Sequence, residues 1–280
     1  MESIKAKIDS INLNIKIDED LSIIRSKSKY ELIEIYPKLC EIFKVLNIPF
    51  EKFKLRNNSV ASRFKLNHEG IYLEFKTLPP RIGEESDYSK KLCQIQLKGQ
   101  WLLENNYKIF LETFKKLPQA TISKIEISFD FVEDHLFLKQ TMDLFLHHRE
   151  HISILEGDNR IFFHLNQTKE FGVSYSNISK EIKIYNKCEE LKGNRKQNLF
   201  YQKNPEFIDK PHYRIEFGFA RSAFIERNLN LINLFNKNTS EKDVIYIFLK
   251  IFFKNLSIAK KSKLKSIFKE LKKGNYLIVD

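Results

Sequence analysis

The chain has 280 residues and a formal charge of +12, from 48 Lys and Arg against 36 Asp and Glu. Its hydrophobic fraction of 42%, with 24 Phe, suffices for the core of one large domain or two modest ones. The positive balance suits a polyanionic partner, nucleic acid or an anionic membrane surface, although enrichment in Lys, Ile, Asn and Phe also follows from an AT-rich genome.

The three cysteines, Cys40, Cys93 and Cys188, stand far apart with no CxxC. That speaks against a disulfide framework or a cysteine zinc site and for a reducing cytoplasm. The start, MESIKAKIDS, lacks the apolar run of a secretory signal. No stretch reaches the roughly 18 apolar residues of a membrane span.

Taken in order, Ile11, Leu13, Ile15 and Ile17 alternate with polar residues and read as a strand. A helix is expected over 28–46, with Pro37 kinking or restarting it. Residues 60–66 and 71–76 read as a hairpin around NHEG, and 77–91 as a solvated loop. A strand over 93–98 ends at Gly99-Gln100, and an amphipathic helix follows over 101–117. Residues 122–131, ISKIEISFDF, are the strongest strand, and Asp134 is expected to cap a helix reaching about Arg149. Further strands are expected over 161–165, 171–176, 181–187 and 213–220, with an exposed loop over 192–210. From Ser222 onward only helices are expected, one starting at Ser240 with Asp243 three residues on. Nine lysines after Leu249 face only Glu270 and Asp280. The pattern is α+β: an antiparallel sheet with helices packed on one face, then a helical, lysine-rich C-terminal segment, with a boundary near residue 221.

Three of these strands set polar groups on one face, because strand side chains alternate. The strand over 122–131 presents Glu126 and Asp130. That over 181–187 presents Lys183, Tyr185 and Lys187, and that over 213–220 presents Arg214 and Glu216. Carboxylate oxygens suit Mg²⁺ or Mn²⁺, and a tyrosine hydroxyl flanked by ammonium groups suits attack on a phosphodiester. Half-buried strands of a lysine-rich protein show the same alternation without any such role. His147 and His151 in HHREH have the four-residue spacing of zinc ligands but lack the glutamate of HExxH, so a surface cluster near a helix C-terminus accounts for them better. His164 stands alone, so a histidine-hydrophobe-histidine nicking motif is absent, as are a P-loop and a GxGxxG.

In order, LKGQWLLEN, ISKIEISFDF, EIKIYNKCEE and HYRIEFGFAR resemble the replication initiation factor family, the initiators of rolling-circle plasmids and some filamentous phages, over about residues 60–221. The resemblance implies a nicking and joining domain over 1–221 and a helical segment over 222–280. Tyr185 would attack one strand at a replication origin, join to its 5′ phosphate and leave a 3′ hydroxyl. It further implies a divalent cation, Mg²⁺ or Mn²⁺, held by Glu126, Asp130 and Glu216, with Lys183, Lys187 and Arg214 on DNA phosphates. The implied partners are an origin in single-stranded or hairpin form, a host helicase and polymerase, and a second copy of the chain as a homodimer; no membrane is involved. The chain departs from the family pattern with Glu126 where Asp is usual, Ser174 where Gly is frequent, Cys188-Glu189-Glu190 after IYNK, and no clear N-terminal helix-turn-helix. A non-catalytic nucleic-acid-binding protein and a conjugative relaxase are the alternatives.

Overall fold

The structure, a computed structural model, describes residues 4–16, 44–45, 54–57, 64–68, 71–78, 90–98, 112, 116, 120–147, 152–154, 160–166, 169–176, 180–192, 197–220, 239–254, 256–258 and 261–279. It divides into two compact units, one of Met1–Asp9 with Ile125–Asp280 and one of Ser10–Lys124. The chain passes from one unit to the other within strands β1 (Lys5–Lys16) and β6 (Thr121–Val132).

The unit of Ser10–Lys124 is built on β2 (Lys54–Asn57), β3 (Phe64–His68), β4 (Ile71–Leu78), β5 (Lys90–Lys98) and the Ser10–Lys16 end of β1, in the order β2-β3-β4-β5-β1. Every one of these pairings is antiparallel, with Leu13 opposite Ile95 and Ile71 opposite Leu97. Ile11, Leu13, Ile15, Ile71, Ile95 and Leu97 are buried, as the alternation requires. Of the helices expected over 28–46 and 101–117, residues 44–45, 112 and 116 are helical; their other residues, and most of the 77–91 loop, lie outside the described ones.

In the second unit the strand order is β1-β6-β11-β10-β9-β8, where β8 is Arg160–Asn166, β9 Lys169–Ser176, β10 Lys180–Asn186 and β11 His212–Ala220. The β8–β9, β9–β10 and β10–β11 pairings are antiparallel. One face of this sheet is apolar: Ile125, Ile127, Phe129, Phe131, Ile182, Ile184, Ile215, Phe217 and Phe219 are fully buried. Helices α1 (Phe137–Leu146), α4 (Glu241–Phe253) and α5 (Lys263–Lys273) cover it. Ring contacts carry the packing, with Phe217 4.6 Å from Phe252 and 5.9 Å from Phe268, Phe219 5.1 Å from Phe248, and Phe131 5.2 Å from Phe137. The edge-on pairs among them, Phe217–Phe252 and Phe131–Phe137, add to what area burial alone supplies. No described helix is long and apolar enough to cross a membrane.

The fold class is thus α+β, with helices on one sheet face. Four local expectations are corrected. The stretch after residue 221 is not purely helical. Strand β12 (Leu256–Ile258) pairs with β7 (Ile152–Ile154), and β13 (Leu277–Ile278) runs parallel to β1. Residues 192–210 are no simple loop: α3 (Gln197–Lys203) and a 3₁₀ turn (Pro205–Phe207) bury Phe200 and Phe207. Strand β10 stops at Asn186, whose side chain accepts from the Glu189 N–H and opens α2 (Lys187–Leu191), so Lys187 is helical. Helix α1 starts at Phe137 and ends at Leu146; Asp134 accepts from the Leu136 N–H, two residues before the cap position. His147 follows it, exposed, and His148 and His151 lie outside the described residues. The start at Ser240 stands as read: its hydroxyl accepts from the Asp243 N–H while the Asp243 carboxylate accepts from the Ser240 N–H. Gly274 closes α5 at φ 78°, a conformation that glycine takes without the Cβ clash.

Candidate active site

The face of the second unit's sheet opposite the aromatic core is polar. It carries Lys7 and Asp9 from β1, Glu126 and Asp130 from β6, Arg214 and Glu216 from β11, and Lys183 and Tyr185 from β10. Register brings the last two strands together, with Lys183 opposite Glu216 and Tyr185 opposite Arg214. The structure therefore gathers all seven residues singled out in the sequence, Lys187 included, although Lys187 arrives from α2.

At the centre the Tyr185 hydroxyl donates to Glu216 Oε1 at 2.6 Å. Burial is the main reason that this hydroxyl titrates well above the ordinary tyrosine range; Arg214 opposes the shift, and the charges of Glu216, Glu190 and Asp9 add to it. Glu216 is raised too, first by burial and then by the charge of Asp9, against Arg214, the Tyr185 hydrogen bond and Lys183. At neutral pH the phenol is accordingly protonated, and its proton points at a carboxylate with unusual affinity for it.

Room for Tyr185 comes from β9. Gly172 lies directly across from it, and a Cβ at residue 172 would stand 2.6 Å from the Tyr185 Cβ and 3.0 Å from the Ile184 carbonyl oxygen. Two backbone-anchored atoms cannot share that space, so the strands would have to separate. Gly172→Ala is expected to destabilise the protein by about 1–3 kcal/mol, the usual cost of overpacking, read as a lower urea midpoint.

The cations of this face differ in setting. Arg214 is interior, its side chain 4% exposed. Its Nε and Nη2 donate to the two Asp130 oxygens at 2.7 Å each, and Nη1 donates to Asp9 at 3.0 Å. Lys187 is also buried, paired with Glu190 and 5.7 Å from the ring centroids of both Tyr185 and Phe200. Burial, then Arg214, hold its ammonium below the ordinary lysine range against the pull of Glu190, Asp130 and Asp9. Lys183, with 29% of its side chain exposed, is the most accessible of the three. It sits 3.5 Å from Glu126, 3.3 Å from Glu181 and 3.8 Å from Glu216. Desolvation would lower its titration, but these three carboxylates outweigh that and raise it.

Glu126, Asp130 and Glu216 carry the expectation of Mg²⁺ or Mn²⁺. Both Asp130 oxygens are taken by Arg214, and the Lys183 ammonium stands between Glu126 and Glu216, where an ion bridging them would lie. Among the described residues no group of three His, Cys, Asp or Glu is arranged around a common point. As arranged, then, the three acids do not fit one shared divalent ion.

Two participants escape the sequence reading. Asp9 lies two residues before the strand assigned there, because the apolar positions switch from even numbers (Ile4, Ala6, Ile8) to odd (Ile11, Leu13, Ile15). The alternation in KAKID was the signal that could have found it. Burial acts to raise the Asp9 carboxyl, but Lys7, Arg214 and Lys187 together hold it well below the usual range. His212, the second, packs near-parallel against both Phe200 at 5.6 Å and Phe207 at 5.3 Å, with Nδ1 3.0 Å from Cys188 Sγ. Burial lowers its basicity. This aromatic stack, with Leu191, closes one end of the polar face beside Lys187 and leaves the end bearing Lys183 more open.

The chain is similar to the rolling circle replication initiator protein from Geobacillus stearothermophilus. The match covers 99% of this chain and 98% of that one, with a TM-score of 0.57 and 10% sequence identity. At that identity the likeness is one of fold. No family model matches the chain, and no curated protein matches it.

Proposed function

We propose that this protein is a rolling-circle replication initiator that nicks one DNA strand through Tyr185 and later rejoins strands. The observation that carries the reading is the 2.6 Å hydrogen bond from the Tyr185 hydroxyl to Glu216, set among cations on one sheet face. The fold, shared with an initiator over nearly the whole of both chains, supports it. In the proposed step the Tyr185 oxygen attacks phosphorus, and its proton passes to Glu216. The P–O3′ bond breaks, the O3′ leaves with the bonding electrons and takes a proton from water, and the 5′ phosphate stays on tyrosine. Attack by a 3′ hydroxyl reverses these changes and rejoins the strand.

Lys183 is the cation best placed to meet the phosphate, since it is the most exposed of the three. Arg214 and Lys187 act from beneath, through the field they lend the site and the acids they hold. Mg²⁺ or Mn²⁺ would reach Glu126 and Glu216 only in place of the Lys183 ammonium. DNA in single-stranded or hairpin form is the proposed partner, with helicase, polymerase and a second copy of the chain following by resemblance.

The test uses 3′-labelled single-stranded oligonucleotides from an inverted repeat in the neighbouring DNA, with Mg²⁺ or Mn²⁺ supplied. The expected product is a label that stays with the protein in a denaturing gel, and peptide mapping should place it within residues 180–190. Binding without any such adduct would favour the alternative, a protein that only holds nucleic acid.

A further inference from the structure

A second feature lies on the other side of the same unit. Helix α5 buries Leu264, Ile267, Phe268 and Leu271 against the apolar sheet face, where Phe268 meets Phe217 at 5.9 Å. Its outer face therefore points away from Tyr185. Along that face runs a cleft of about 490 Å³ lined by Lys261, Lys265, Lys269 and Lys272, with Ser262 and Ser266 between them. Among the described residues no acidic one lines it. All four lysines are exposed.

The lysines of α5 fall into two sets. Those away from the cleft are neutralised: Lys263 pairs with Glu133 at 2.8 Å and with Asp134, and Lys273 pairs with Glu270 at 3.0 Å. On the cleft, Lys261, Lys269 and Lys272 form no ion pair within 4.0 Å of a described carboxylate. Spacings of four and three residues keep Lys265, Lys269 and Lys272 on one side of the helix, and Lys261 precedes its cap, Ser262. At 1.5 Å per residue the helical row from Lys265 to Lys272 spans roughly 10 Å, the axial length of about three nucleotides of one DNA strand at 3.4 Å each. The Ser262 hydroxyl, which accepts from the Lys265 N–H, adds one neutral donor of the kind that meets phosphate oxygens, while Ser266 donates to the Ser262 carbonyl.

We propose that this row is a second DNA site, one that holds the phosphate backbone of duplex DNA without reading its sequence. Duplex is favoured over single strands because the only aromatic among the described lining residues, Phe268, is 4% exposed and offers no ring for bases to stack on. A membrane surface is disfavoured for a related reason: the lining's apolar residues, Ile258 and Phe268, are buried, so nothing is left to insert among lipids. The inference rests on the proposed function only in taking DNA as the partner; it makes no use of nicking.

The experiment measures binding of the full chain to a fluorescent 20-base-pair duplex of arbitrary sequence across a salt series. Wild type is compared with K265Q/K269Q/K272Q and with K263Q as a control on the same helix. Loss of three phosphate contacts should flatten the slope of log K against log salt by about 2.7, so that raising salt from 50 to 200 mM weakens the wild type about fortyfold more than the triple variant. K263Q should keep the wild-type slope, and cleavage of a short single-stranded oligonucleotide should be the same in all three proteins. An unchanged slope in the triple variant, or an equal change in K263Q, overturns the proposal. So does a triple variant that loses binding to anionic lipid vesicles while keeping the duplex. If Tyr185 proves not to be a nucleophile, the salt series still decides this site by itself.

Discussion

Arg214→Met should cost the fold about 3–5 kcal/mol, the scale expected when one partner of a buried ion pair is removed. The wild-type guanidinium fills its donors with Asp130 and Asp9 while only 4% exposed, and the Asp130 side chain is 2% exposed. Without it, Asp130 keeps its place beneath the sheet face with no cation in bidentate contact. Arg214→Lys should recover only part of the loss, because a single ammonium cannot repeat the two parallel hydrogen bonds at 2.7 Å. The gap between wild type and Arg214→Met should also depend on pH. Asp9 titrates below its ordinary range in the fold, in part because of Arg214. A depressed carboxyl adds stability that is complete above its unfolded value, near pH 3.9, and is lost as pH falls towards the folded value. The variant lacks part of that gain, so urea midpoints of the two proteins should approach one another below about pH 4.

That ion pair also shows where sequence reading succeeds and where it stops. Alternation placed Glu126, Asp130, Lys183, Tyr185, Arg214 and Glu216 on one sheet face, since a period of two is a property of the backbone. It could not say which charges meet, because pairing depends on register and on strand order, neither of which a local pattern carries. Arg214 and Asp130 thus read alike as a phosphate contact and a metal ligand, although 84 residues apart they satisfy each other. Lys187 fits the strand period in the sequence but enters a helix, since the Asn186 side chain caps the turn after it. The stretch over 192–210 reads as loop because its polar residues outnumber Phe200 and Phe207, the two rings that anchor it to His212. Gly172 carries no periodic signal at all; its meaning appears only when Tyr185 is found across the ladder.

Tyr185→Phe should abolish both nicking and the covalent adduct and leave the fold in place, because the ring packing survives and one hydrogen bond is lost. Glu216→Gln separates the proposed proton transfer from mere packing. A glutamine oxygen can still accept from the tyrosine hydroxyl, so the 2.6 Å contact has a replacement, but it cannot take the proton away. Nicking should fall by about 10² to 10⁴-fold, the usual share of general-base catalysis. In the wild type the rate should rise with pH as Glu216 ionises, on a limb displaced upward from that of an ordinary glutamate, because burial and Asp9 raise it. That limb should vanish in the glutamine variant. Stability should move the other way. A carboxyl whose folded value lies above its unfolded one binds more protons in the fold, so its contribution weakens as pH rises between the two. Removing the charge at neutral pH relieves that penalty, and Lys183 retains Glu126 and Glu181 as partners. Glu216→Gln should therefore be no less stable than wild type near pH 7 while losing most of its activity. A variant that is both markedly unstable and inactive would instead mark Glu216 as a structural member of the ion-pair network, and the proton from Tyr185 would need another acceptor.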